Sequence, residues 1–202
     1  MRYVLSADLG QANDYSALSV VERVGEELHV PYLNRPPLRT SYERIAKGIV
    51  DRLCQLEHVG AFGERADVGC VLDGTGVGRG VTDMVLRELR ERRTKPVVAF
   101  WPLVITGGNT VSRTGAYISV PKRNLIISAV SRLQTGRLKI GADVPERDTL
   151  ISELRDYRLR INVKTGHDSY EPWRENQHDD LLFSLCMGCW FWEFVDKDRR
   201  AA

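Results

Sequence analysis

The chain has 202 residues, 43% of them hydrophobic and 28% charged, with a formal net charge of +2. That is long enough for one domain with a buried core, and the composition is ordinary for a globular protein. Such a balanced charge supplies no global basic field, so a phosphate-binding surface would have to be local. No apolar run approaches the ~18 residues a membrane span needs, and Asp8 and Asp14 interrupt any signal-like N-terminus. A cytoplasmic protein without membrane partners is expected.

In chain order, Val4 to Ala7 is a short apolar run, a buried strand that ends in Asp8. Gly10 to Tyr15 has turn composition, and Asp14 within it reads as a structural turn residue. Ser16 to Val24 is β-rich and alternating, and Gly25-Glu26 turns it into Leu28 to Leu33. Together these predict a three-stranded antiparallel meander. Pro31 to Thr40 reads as a proline-rich linker. Ser41 then caps a helix from Tyr42 to about Leu56, with Ile45, Ile49, Val50 and Leu53 at helical spacing. Val68 to Leu72 is near-continuously apolar, the mark of a buried parallel strand, and it too ends in an acid, Asp73. The glycine-rich Gly74 to Gly80 leads into a helix from about Val81 to Arg92.

Val97 to Trp101 is the next strand, and Pro102 to Val120 reads as a long loop, of the kind that is usually functional. Pro121 opens a helix from Lys122 to about Gln134, ended by Gly136. Leu138 to Ile140 is a short strand, Pro145 starts a helix to about Tyr157, and Leu159 to Val163 alternates. Lys164 to Gln177 is a polar loop containing Tyr170, Trp173 and Arg174. The last helix runs from about His178 to Val195, before a charged tail, Lys197 to Ala202. The order predicts an α/β fold: a mixed sheet with helices on both faces, one domain over residues 1–196 and a flexible tail over 197–202. Cys54, Cys70, Cys186 and Cys189 stand in apolar surroundings and read as small core residues. The Cys186/Cys189 pair lies in an apolar helical run with no second pair, which argues against a metal site.

Three acids make sense only together. Asp8 and Asp73 both end strands, and sites in open sheets lie beyond the carboxyl ends of strands. The last helix is apolar nearly all round, with Leu181, Leu182, Phe183, Leu185, Met187, Trp190 and Phe191. One stripe differs: Asp180, Ser184 and Gly188, four residues apart, are acidic or small. Such a stripe lets the helix approach the sheet closely, with Asp180 in its first turn. Converging carboxylates repel, and a divalent cation relieves that repulsion. All-oxygen ligation favours Mg²⁺ or Mn²⁺ over zinc, and two such ions support phosphodiester cleavage.

The acid-ended first strand, DGTGVG after a later strand, HDDLLFSL on the final helix and SVPKRNLI around Lys122 resemble the C-terminal nuclease domain of the large terminase subunit of tailed bacteriophages. The resemblance spans nearly the whole chain, with the motifs in the family's order. It implies an RNase H-like fold and an endonuclease that cuts concatemeric viral DNA during packaging, with little base specificity. It implies Asp8, Asp73 and Asp180 as catalytic metal ligands, with Asp179 auxiliary, because the family often reads His-small-Asp at this point. The implied partners are double-stranded DNA, an ATPase domain of the parent protein, the small terminase subunit and the portal. The chain itself has no Walker A motif, since Gly74 to Gly80 lacks the Lys-Ser/Thr that holds phosphate and Mg²⁺.

Contacts to flanking phosphates are expected from Lys122 and Arg123 at a helix start, with Arg79, Arg113, Lys164 and Arg174. Three other readings compete. Asp8-Leu9-Gly10 with Asp73-Gly74-Thr75-Gly76 imitates the phosphate loops of actin-like ATPases and sugar kinases, but that architecture needs two lobes. A Holliday-junction resolvase would use the same nuclease fold. A docking module for DNA or portal would be non-catalytic, with a vestigial site.

Overall fold

The computed structural model describes residues 2–10, 14–57, 68–93, 97–161, 168–172 and 178–201, without the side chains of 158–161, 168–172 and 195–201. The chain opens with β1 (Tyr3–Asp8), β2 (Ala17–Val24) and β3 (Glu27–Asn34), paired antiparallel as a meander. β4 (Val68–Asp73) then lies parallel to β1, and β5 (Val98–Thr106) parallel to β4. β6 (Ser112–Thr114) and β7 (Tyr117–Pro121) extend that side, and β8 (Leu138–Ile140) closes the other beside β3. The order across the eight-stranded sheet is β6-β7-β5-β4-β1-β2-β3-β8. This is the mixed, RNase H-like sheet that the resemblance implies.

Strand alternation assigns the two faces. Tyr3, Leu5 and Ala7 of β1, with Val68, Cys70 and Leu72 of β4, pack under α1 (Tyr42–Glu57) and α2 (Gly78–Glu91). Val4 of β1 and Val71 of β4 belong to the opposite core, with α3 (Lys122–Gln134), α4 (Arg147–Asp156) and α5 (Asp180–Ala201). α1 starts as its sequence requires: the Ser41 carbonyl accepts the Ile45 amide at 3.0 Å, and the Ser41 hydroxyl accepts the Arg44 amide at 3.4 Å. α5 is the central helix of its face. Leu181, Leu185, Met187, Cys189 and Phe191 are fully buried, as are Ser184 and Cys186.

Gly188 explains how close α5 comes. A Cβ at this position would lie 2.7 Å from Val21 Cγ2 and 2.8 Å from Ser6 Oγ. Ser6 and Ser19, whose hydroxyls meet at 2.9 Å, form the shallow floor beneath it. The small stripe of α5 therefore lies over small residues of β1 and β2, and the first turn, with Asp180, is drawn toward the end of β1.

Three expectations need correction. The long loop from Pro102 to Val120 is mostly strand: β5 runs on to Thr106, and β6 and β7 come after it. Pro102 reads as a strand breaker, but it stands where β7 pairing has yet to begin, since the first β5–β7 partners are Leu103 and Ile118. A strand margin tolerates proline. The polar loop from Lys164 to Gln177 contains β10 (Asp168–Pro172), which pairs with β9 (Tyr157–Ile161) in a separate two-stranded sheet. The last helix continues to Ala201, through the segment expected to be a tail. No helix among the described residues is long and apolar enough to cross a membrane. Cys70, Cys186 and Cys189 are buried and Cys54 half-buried.

Candidate active site

The register places the first two acids side by side. β1 and β4 are parallel, with Tyr3 opposite Val68 and Ala7 opposite Leu72, so the two strands give out together. Asp8 shares the parity of Val4, and Asp73 that of Val71, which puts both on the α5 face. The third acid arrives on the first residue of α5. Asp8, Asp14, Asp73, His178, Asp179 and Asp180 line one cavity of about 320 Å³. The four acids expected at the site are thus brought together, and Asp14, read from the sequence as a turn residue, joins them.

Local structure holds each of them. The Asp73 Oδ1 accepts the Thr75 amide at 2.9 Å, which folds the glycine turn back against the strand end. Gly78 opens α2 so close beneath that a Cβ would collide with the Asp73 carbonyl oxygen. Only glycine fits there. His178 bridges the rim: its Nδ1 is 3.8 Å from Asp14 Oδ1 and 3.6 Å from Asp180 Oδ2, and its ring meets Tyr15 edge-on at 4.9 Å. Lys122, the first residue of α3, reaches the cavity edge with its Nζ 4.0 Å from Asp179 Oδ2 and 4.4 Å above the Phe183 ring.

Burial and mutual repulsion push these acids toward their neutral forms. Asp8 is held well above the usual carboxylate range by burial, and next by the charges of Asp73, Asp180 and Asp179. Burial also raises Asp73, against the hydrogen bonds from Thr75. Asp179 is raised by burial, with Lys122 opposing. Asp180 is pushed to about 7 by burial, then by Asp14 and Asp179, with Arg35 opposing. The Asp180 Oδ2 is buried and has no hydrogen-bond partner among the described residues, as His178 stands beyond hydrogen-bond range. A buried carboxylate oxygen left open in a cavity of like charges is a fit for a cation. Among the described residues, no group of three or more His, Cys, Asp or Glu side chains is arranged so that it could hold a metal ion as it stands. An open carboxylate cleft suits Mg²⁺ or Mn²⁺, which retain waters and substrate oxygens in their shells.

The basic residues are dispersed. Arg79 is exposed and lies over the Tyr117 ring at 5.4 Å, and Arg113 on β6 lies over Trp101 at 5.8 Å. Arg123 donates to Asn109 Oδ1 at 3.4 Å. None of the three lines the acid cavity. Lys164 and Arg174, with Trp173, lie outside the described residues.

Two residues at the back of the site have no counterpart in the sequence reading. Glu153 of α4 is 6% exposed; burial raises its carboxyl to about 7, although the Leu182 amide it accepts works the other way. Arg35 stacks over Tyr15 at 4.4 Å and stands 3.7 Å from Glu153 Oε1. The available signal for Glu153 was its place three residues after Leu150, on the buried side of an amphipathic helix.

No protein-family model and no curated protein matches the chain. Solved structures do. The large terminase nuclease from thermophilic phage G20c is 18% identical, with 93% of this chain and 80% of that one covered and a TM-score of 0.55. A human cytomegalovirus terminase nuclease domain, soaked with Mn, is 11% identical over 98% of this chain and 88% of that one, with a TM-score of 0.63. The large terminase of another thermophilic bacteriophage is 12% identical with a TM-score of 0.56; the match covers 92% of this chain but 38% of that one. The chain has the fold of the terminase nuclease domains.

Proposed function

We propose that the chain is a metal-dependent DNA endonuclease, of the kind that cuts concatemeric viral DNA during packaging. The observation that carries this reading is the meeting of Asp8, Asp73, Asp179 and Asp180 in one cavity, with a buried Asp180 oxygen that has no hydrogen-bond partner among the described residues. The likeness to terminase nuclease domains, one of them soaked with Mn, supports it at the level of the fold.

Asp8, Asp73 and Asp180 would hold Mg²⁺ or Mn²⁺, with Asp179 as an auxiliary ligand. Bound there, a pair of ions supplies an activated water and charge stabilisation for the leaving oxygen of a phosphodiester. The protein's part is to position. The β1 and β4 ends fix two carboxylates at neighbouring register, and the α5 stripe brings the third. Lys122 faces the cavity edge, where it meets the phosphate of the scissile strand. Arg79, Arg113 and Arg123, with Lys164 and Arg174, contact flanking phosphates, which favours salt-dependent binding with little base preference.

The parent assembly belongs to the same proposal. The second phage's large terminase is much longer than this chain and was solved with ATP-γ-S and with ADP. An ATPase domain is therefore the partner we assign first, with double-stranded DNA, the small terminase subunit and the portal. The test is incubation of supercoiled plasmid with Mn²⁺, beside Asp8→Asn, Asp73→Asn and Asp180→Asn. Nicking by the parent chain and its loss in all three variants are expected. An inert parent chain, or nicking that survives the substitutions, rules the proposal out.

A further inference from the structure

The first turn of α5 shows an unusual division of labour. Asp179 is the residue before the helix, and its carbonyl accepts the Phe183 amide at 2.9 Å. That is the N-cap position, where an aspartate ordinarily folds its side chain back onto the second or third amide of the helix. Here the third amide, that of Leu182, is taken by Glu153 Oε2 at 2.8 Å, from a different helix. Asp179 turns outward instead, lining the acid cavity with its Oδ2 4.0 Å from Lys122 Nζ.

Glu153 is otherwise hard to account for. It is buried on the inner side of α4, where an apolar residue would pack without desolvating a carboxylate. Its second oxygen, Oε1, has no hydrogen bond among the described residues and stands 3.7 Å from Arg35 Nη1. Arg35 in turn lies against Tyr15, which touches His178, so α4, the end of β3 and the approach to α5 meet behind Asp180.

We infer that Glu153 is a positioning residue that caps α5 from outside and thereby keeps Asp179 free for the metal side of the cavity. The inference rests on the nuclease reading above. Without Glu153, the Leu182 amide is left open, and Asp179, at the N-cap, is placed to claim it. Metal binding would then compete with helix capping.

The test compares Glu153→Met, which fills the volume without an acceptor, with Glu153→Gln, which keeps a carbonyl oxygen for Leu182. Each is followed by Mn²⁺-induced thermal shift and by the Mn²⁺ midpoint for plasmid nicking. A buried acid replaced by a well-packed apolar side chain is expected to leave a folded protein. Glu153→Met should raise both Mn²⁺ midpoints about fivefold to tenfold, the size of effect that loss of a cap has on a helix end. Its nicking rate at saturating Mn²⁺ should stay within about threefold of the parent. Glu153→Gln should restore the midpoints to within about twofold. An unchanged midpoint in Glu153→Met overturns the inference, as does a Glu153→Gln midpoint shifted as far as that of Met. A parent chain with no Mn²⁺-induced shift takes down the nuclease reading and this inference together. A responsive parent with an unshifted Glu153→Met variant removes this inference alone.

Discussion

At the scale of single residues, the cavity sets stability against chemistry. Asp8, Asp73 and Asp180 are each pushed toward the neutral form by burial. An ionised acid in such a place costs free energy that a bound cation offsets. Asp180→Asn keeps the shape and removes the charge. It should raise the metal-free melting temperature at pH 8 by a few degrees, on the order of 1 kcal/mol of stability, while plasmid nicking falls by about a hundredfold or more. Scanning calorimetry beside the nicking assay checks this; a variant that loses stability along with activity would make Asp180 a structural acid. The same scale shows what the sequence made legible. Asp8 and Asp73 each end an apolar run, and sites in open sheets lie beyond the carboxyl ends of strands, so their meeting was legible. Asp180 was marked by the small stripe below it. Asp14 carries no such mark, because a turn acid looks like a solvated residue until distant segments are packed against it, and Glu153 is marked only by its helical spacing from Leu150.

At the scale of elements, the site depends on how near α5 and α2 come to the strand ends. Gly188 sits 2.7 Å, by the notional Cβ, from Val21 Cγ2 in a fully buried contact. Alanine is the better helix former by about 1 kcal/mol, but overpacking a core costs about 1–3 kcal/mol. Contact with two strands at once makes the second effect larger. Gly188→Ala should therefore destabilise by about 1–2 kcal/mol in urea, and Val21→Ala should recover part of it, a coupling that a double-mutant cycle reads directly. Simple additivity of the two would mean that α5 has room to shift. Gly78→Ala meets the Asp73 carbonyl instead and should damage nicking more than stability, because the displaced segment carries a site residue. The meander, the parallel β4 and the α3 bounds were legible from alternation, apolar runs and Pro121. β6 and β7 were hidden because Pro102 and Gly107-Gly108 look like breakers, and only the pairing of β7 with β5, and of β6 with β7, makes strands of these residues. β10 was hidden likewise, being polar and dependent on β9.

At the scale of the whole molecule, a net charge of +2 conceals a strongly uneven distribution. Five aspartates share one cavity, while three of the arginines expected to meet DNA, Arg79, Arg123 and Arg113, stand on α2, α3 and β6. This arrangement fixes the sign of the pH dependence. Asp180 and Glu153 titrate at about 7 in the folded chain, and Asp8 is also raised, whereas in the unfolded chain these groups lose their protons near 4. Between those limits the folded state holds more protons than the unfolded one, so stability falls as pH rises. Their contribution is fully present below about pH 4 and is lost by the time pH has passed the folded values. Measured from pH 5.5 to 8, clear of the ordinary acid denaturation of exposed carboxylates, the metal-free chain should lose about 5 °C of melting temperature. Saturating Mn²⁺ should reverse the slope, because a cation competes with protons for the same oxygens and gains affinity as they leave. Asp8→Asn should flatten both curves. A metal-free melting temperature that rises steadily over this range would mean the carboxylates are satisfied from within the protein, and the cavity would then be a polar network rather than a cation site.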